Sequence, residues 1–402
     1  MKRLFNRSSL RLSAAALVLS LMGGCDDSGD DSTGPLYAIT TQDLNADPAT
    51  SYVVVTRDAE RATQLSLDGA ISVSGRALGV GVRKSGHVYV VSDDSPSVTR
   101  YSLTEAGGLV QSGTMSFASL GVMSLGEYQA NFQFVSETKA YFFDGITAQA
   151  VIWNPTEMTV TGSIPLGELE IEGTEMAFSG SVISHNGQLI VPVGWRPAVG
   201  VGITQQAGVV SVDTATDTAT IATDPRCGYT HDAVLGPDGK VYIATEAYGA
   251  AVRRTHGDEV PEPCLLRFDP QTRTFDAGFH RPLSTLTGGG TVGSLVPGPS
   301  GSAYLRVLDE NVAPVLEGTH PRSVASGAGW QWWQLNLSTL AATHVPQFPA
   351  TSGSSFLFHT ENQTLFTEFG PGAASTTLHV LGDNGRSTLS TRGLSFSLVQ
   401  LR

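Results

Sequence analysis

Positive charge, long apolar runs and cysteine are all scarce in this sequence, and each scarcity removes a class of function. Lys and Arg together number 24 against 37 Asp and Glu, for a net charge of −13. Lys2, Arg3, Arg7 and Arg11 fall in Met1–Gly24, which holds no acidic residue, so everything after that segment is more acidic still. A chain of this sign does not suit nucleic acid or anionic lipid surfaces, and nucleic-acid partners are set aside. Beyond Leu12–Met22 no apolar stretch is long enough to cross a bilayer as a helix. Only three cysteines occur: Cys25, Cys227 and Cys264. Their spacing fits no zinc pattern, and no His pair lies near enough in sequence to complete one. No G-x-S-x-G elbow, H-E-x-x-H pair or phosphate-binding loop is present. Gly288-x-Gly290-x-x-Gly293 matches a dinucleotide fingerprint in form, but no helical pattern follows it, so it reads as a turn. Asp43-x-Asn45-x-Asp47 opens like a calcium loop, yet lacks the turn glycine and the later Glu. The sequence therefore points to no cofactor and no resident metal.

The first 24 residues have the build of an export signal: a basic start, a short apolar run and a small-residue site. Leu21-Met22-Gly23-Gly24-Cys25 resembles the lipobox of bacterial lipoproteins, with Met22 where Leu is commoner. The resemblance implies cleavage before Cys25 and its lipidation. Residues 1–24 then form the signal peptide and residues 25–35 an acidic, Ser/Gly-rich tether. Residues 36–402 form the folded domain, attached to the inner or outer membrane of the cell envelope by the N-terminal lipid alone. With Cys25 lipidated, Cys227 and Cys264 remain as an even pair in a compartment that permits disulfides, and a bridge between them is expected.

The remaining residues are abundant in Gly, 45 in the whole chain, and rich in short β-type runs. Tyr52–Val55, Val88–Val91, Ala140–Phe143, Leu189–Val191, Val241–Ala244, Ala303–Leu305 and Leu365–Thr367 recur along the chain. Several follow tight turns such as Ser85-Gly86, Asn186-Gly187, Pro237-Asp238-Gly239 and Ser300-Gly301. A second and a more polar third strand signal follow most runs, and an apolar strand precedes each turn. That makes four strands per unit, seven units and no sustained helical period, which predicts an all-β, seven-bladed β-propeller of antiparallel blades. Val88-Tyr89-Val90-Val91-Ser92-Asp93 with Ser97–Tyr101, and Val209–Thr218, resemble the YVTN-type repeat of bacterial propellers. A more distant likeness is to propeller lipoproteins encoded beside siderophore receptors, which implies an accessory role in siderophore and iron acquisition.

In such a fold the second-to-third-strand loops share one face with the connections between blades. Three consecutive loops are long and read as irregular: Trp195–Gly208, Ala247–Pro263 and Asp309–Gly329. They carry Arg196, Arg253, Arg254, His256, His320 and Arg322, with Trp195 and Tyr248 at their roots. Arginine beside aromatic rings suits a small anionic or aromatic ligand, and solvated loop charge is the plain alternative. Gly228-Tyr229-Thr230-His231-Asp232 places an imidazole near the channel, as a candidate general base or as ordinary structure. Strand alternation sends His231 and Asp232 to opposite faces. Acidic residues at the ends of the recurrent runs (Asp58, Asp93, Asp94, Asp144, Glu246, Asp309, Glu310 and Glu368) either bind a cation together or hydrogen-bond their turns. Trp330 and Trp332 share one strand face and are expected to pack between blades. The functional readings are a monomeric propeller binding a small ligand or an envelope protein, a metal-dependent lyase or lactonase-like hydrolase using His231, and a scaffold in an envelope complex.

Overall fold

The computed structural model describes residues 34–44, 46–126 and 128–402. The signal, the lipidation site Cys25 and all but the end of the tether lie outside the described residues. Pro35–Arg402 is one compact unit of seven antiparallel sheets arranged in a ring, a seven-bladed β-propeller.

The second strand of most blades is the recurrent apolar run seen in the sequence. His87–Ser92, Lys139–Asp144 and Val241–Thr245 are buried almost throughout, because each lies between two neighbouring blades and needs apolar residues on both faces. Outermost strands are more open: Leu109–Ser116 is largely exposed and Thr218–Asp224 mostly half-buried, and both are correspondingly polar. Each interface between adjacent blades owns a hydrophobic cluster. Tyr89, Phe117, Phe142 and Trp153 join the second and third blades, and Trp332, Phe348 and Phe366 join the sixth and seventh.

The first blade departs from the phase expected from sequence. Its innermost strand is the C-terminal Leu394–Gln400, paired antiparallel with Tyr37–Asp43, so Thr50–Thr56 is the third strand and not the second. Thr63–Gln64 also pairs in parallel with Ser387–Arg392 on the outer edge of the seventh blade. The ring is thus closed twice by segments far apart in sequence.

Two faces result. On one, the first-to-second and third-to-fourth strands are joined by tight turns. Asn154, Asp213, Asp269 and Asn336, at the same place in four consecutive blades, each accept a backbone N–H two residues on. The fifth residue of each turn (Met158, Asp217, Arg273 and Leu340) has φ between 56° and 59°. The opposite face carries the second-to-third-strand loops and the connections between blades. Here two of the loops read as irregular contain helices. α1 (Ala247–His256) fills most of the fifth-blade loop, α2 (Leu283–Leu286) follows that blade, and α3 (Pro321–Ser326) lies in the sixth-blade loop. α1 forms because Ala247, Ala250 and Ala251 favour helix, Glu246 caps its start and Arg253, Arg254 and His256 sit in its last turn. No helix among the described residues is long and apolar enough to cross a membrane.

Candidate functional site

The long loops pack into a second core above the ring. Ile203 of the fourth-blade loop, Ala247, Ala250, Ala251 and Val252 of α1, and Val324 and Ala325 of α3 share one cluster with Trp330. Trp330 is fully buried and donates its indole N–H to Val324 O at 2.8 Å. Gly293 is required under α1: a Cβ there would stand 2.8 Å from Ala247 Cα. The formal dinucleotide fingerprint is therefore a turn that runs into the strand Val292–Pro297, within which Gly293 is the contact glycine. The bond between Cys227 and Cys264 ties the approach to the fifth blade to its third strand, beside this layer.

Beneath the loops opens a cavity of about 1300 Å³ at the ring's axis, with walls drawn from all seven blades. Blades five and six supply its most unusual wall. Both innermost strands carry a register shift, between Thr230 and Asp232 and between Gly293 and Leu295. A bulge re-aims side chains and breaks strict alternation, so His231 and Asp232 both line the cavity, contrary to the expectation that they face apart. Tyr229 and Ser294, flanking or forming these bulges, have φ of 51° and 61°.

Asp232 Oδ2 accepts the Leu295 N–H at 3.1 Å. Glu246 Oε2 accepts the Tyr248 N–H at 2.8 Å, and its other oxygen accepts the Ser354 hydroxyl. Desolvation raises both carboxyls above their ordinary values; the charge of Glu246 pushes Asp232 further, to about 7. The pair therefore tends to hold a proton near neutrality. His231 moves the other way. Burial lowers its imidazole to about 4. Its Nε2–H donates to Ala177 O at 3.1 Å, and its ring stacks on Tyr229 with centroids 4.6 Å apart.

The sequence-predicted ligand residues divide. Arg196, Tyr248 and Arg322 line the cavity. Arg196 is paired with Glu175 at 2.6 Å, while the Arg322 guanidinium lies 5.2 Å from the Tyr248 ring centroid. Trp195 is wholly buried, donating to Leu169 O at 2.9 Å, and has no surface to offer a ligand. Arg253 binds Val260 O and Asp258; Arg254 forks onto Glu310 at 2.6 and 2.7 Å. Arg253 ties α1 to the rest of its own loop, Arg254 joins that loop to the sixth-blade loop, and both lie outside the cavity lining. His256 is exposed beside Thr255, and His320 caps α3 by accepting the Arg322 N–H.

The acidic ring does not form as a unit. Asp93, Asp144 and Asp309 each accept a backbone N–H of a neighbouring turn, Glu246 caps α1, Glu368 meets His379 at 2.9 Å, and Glu310 holds Arg254. Asp58 follows the third strand of its blade, on the opposite face, beside Arg61. Its counterpart on the long-loop side is Asp43, paired with Arg392 at 2.7 Å. Asn45 of the calcium-like motif lies outside the described residues. Among the described residues, the single group of three His, Cys or acidic side chains with ligand atoms drawn close is Cys227, Cys264 and His280, and the two sulfurs there are bonded to each other.

Sequence reasoning missed the aromatic wall and the linker that builds it. Phe356 stacks on Tyr128 at 5.7 Å and meets Phe396 at 4.9 Å, with Phe369 at 5.2 Å from Phe396. All four line the cavity. Arg306, fully buried with its guanidinium 3.2 Å from the Trp332 ring centroid, donates to Thr351, to Ser352 O at 3.1 Å and to Ser355 Oγ at 2.9 Å. It thereby fixes the stretch Ser352–Phe356 against the cavity. The Thr/Ser/Gly run Thr351–Ser355 was the one signal in the sequence, an unusually polar linker between blades. The lining is acidic on balance: Asp93, Asp144, Glu170, Glu172, Glu175, Asp232 and Glu246 outnumber Arg76, Arg196 and Arg322. An anionic ligand, as expected from the loop arginines, would enter a negative field.

No family model matches the chain, and no curated protein matches it. Solved structures resemble it in architecture. A protein from Lactobacillus plantarum superposes with a TM-score of 0.50 at 11% identity, covering 92% of this chain and 99% of that one. Apo AztD from Citrobacter koseri gives 0.43 at 10% identity over 91% and 98%. Hydrazine synthase from Kuenenia stuttgartiensis gives 0.45 at 11% identity over 75% and 76%. The likeness is one of fold alone.

Proposed function

We propose that this protein is a ligand-binding β-propeller of the bacterial cell envelope that takes a small molecule into the axial cavity beneath its long loops. The observation that carries this reading is the cavity itself. It is large, its walls combine aromatic rings with a few converging polar groups, and a separately packed layer of helices roofs part of it. A lipid anchor at Cys25 fits the same picture. The chain enters the ring at Tyr37, whose strand starts on the tight-turn face, opposite the long loops. An accessory role in siderophore uptake draws on the more distant likeness to propeller lipoproteins encoded beside siderophore receptors. It loses the support of the loop arginines, most of which are bound to carboxylates of the protein itself.

Two measurements test the proposal. Native mass spectrometry of protein purified from its host should show a co-purifying small molecule that Tyr248→Ala releases; bare protein throughout, with no stabilisation by any compound in a thermal-shift screen, would count against it. A Cys25→Ala chain should leave the membrane fraction, and its retention there would remove the anchor.

A further inference from the structure

We infer that the cavity's ligand is an organic cation, a protonated amine carried on an aromatic or apolar body. The inference rests on the proposal that the cavity binds a small molecule, and specifies which chemistry it selects. Neither Asp232 nor Glu246 has a Lys, Arg or His partner within ion-pair distance among the described residues. Asp232 is held by the Leu295 amide and the Ser294 hydroxyl, Glu246 by the Tyr248 and Ala247 amides and the Ser354 hydroxyl, and Arg306 and Arg322 act on them only from farther away. Two like carboxyls brought together away from bulk water repel each other, and a cation between them relieves that repulsion.

A second, independent feature points to the same ligand. Gln42 is 2% exposed and lines the cavity, with its side-chain N–H donating to Ala77 O at 3.1 Å. That bond fixes which end of the amide is which, and leaves Oε1 buried with no donor among the described residues. Asn131, 6% exposed and also lining the cavity, likewise holds an unpaired Oδ1. Buried acceptors left unmatched are costly, and a ligand rich in N–H donors satisfies them.

The aromatic rings complete the selection. Phe356, Phe396 and Tyr128 present one wall, and Tyr229 and Tyr248, with centroids 5.4 Å apart, stand near Glu246. Ring faces attract cations and bury apolar surface. A bare metal ion fits less well: it wants several ligand atoms drawn together, and the carboxylates here are not grouped with a third ligand.

The test uses the folded domain and three probes of one shape: phenethylammonium, 2-phenylethanol and phenylacetate, titrated by calorimetry at pH 8. Phenethylammonium should bind about tenfold or more tighter than phenylacetate, the size expected of a charge and ring contact in a partly dry site. Asp232→Asn and Glu246→Gln, each keeping an acceptor oxygen, should weaken phenethylammonium about tenfold and leave 2-phenylethanol unchanged. Phenylacetate binding as well or better, or variants without effect on the amine, would overturn the cationic selection while the ligand cavity stands. Failure of all three probes to bind at millimolar concentration would overturn the cavity reading, and this inference with it.

Discussion

The two faces of the propeller grow from the same repeat and end in opposite ways. On the tight-turn face four consecutive blades repeat one Asp- or Asn-capped turn, almost residue for residue. On the long-loop face no two blades agree. One has a two-residue turn at Asp93–Asp94, one a ten-residue helix, one a loop with its own short helix. Exposed apolar side chains follow the same division. Leu44, Met123, Ile146, Ile171, Val199, Val201, Val312 and Leu316 all lie in connections of the long-loop face, while Val110, Val135 and Leu235 near strand ends are their counterparts opposite. A repeat conserves what closes the blade; the ends free to diverge are where a site can be built.

The sharpest way to break this contrast is to attack the second core that only one face possesses. Trp330→Ala empties a fully buried site and removes the bond to Val324 O, and should cost about 3–5 kcal/mol in urea unfolding. A loss below about 1 kcal/mol would mean that the helical layer is not a packed core. Next in size is the bond between Cys227 and Cys264, which closes a loop with a sequence separation of 37. Replacing both by Ala should cost about 3–4 kcal/mol on loop-closure grounds. Unchanged stability would show that the layer holds without the bridge.

The cavity wall holds a carboxyl raised by burial, whereas the turn caps Asp213 and Asp269 on the other face are lowered by the hydrogen bonds they accept. Asp232, raised to about 7, contributes stability at low pH that is lost as pH climbs from its ordinary value near 4 through 7. His231, lowered to about 4, does the reverse: its contribution is lost as pH falls from about 6.5 to 4. The two slopes oppose each other over the shared window. Glu246, Arg196 and Arg306 are the charges acting on them. Relative to the parent, the slope of melting temperature with pH between pH 4 and 6.5 should therefore become more positive in Asp232→Asn and more negative in His231→Gln. Parallel profiles in all three would show that these groups titrate as they would in water.

How much of this could be read from residues alone follows the same division. The ring was legible because its buried strands are apolar on both faces, as in Val88–Val91, and its turns carry Gly and Asn where φ is positive, as at Asn186 and Gly187. The phase of the first blade was not, since its innermost strand comes from the far end of the chain. α1 was hidden because Ala and Gly supply no apolar contrast for a helical period to show. The loop arginines misled: their carboxylate partners Glu175 and Glu310 lie 21 and 56 positions away and become neighbours only in the fold. The bulge that turns His231 and Asp232 into one cavity exists only in the pairing register.

The smallest expected effect separates folding from function on the long-loop face. Val199 and Leu316 are 89% and 70% exposed, so they contribute little to the core. Changing both to Ser should move stability by no more than about 0.5 kcal/mol. Apolar side chains held in water without a structural need are a binding surface or a liability, and a probe tells which face owns them. Fluorescence of a hydrophobic dye such as anilinonaphthalene sulfonate should fall in this double variant and stay level when Val135 and Leu235 are changed instead. If the second pair quenches the dye as much as the first, the apolar surface is shared between faces, and the asymmetry described here reduces to loop length alone.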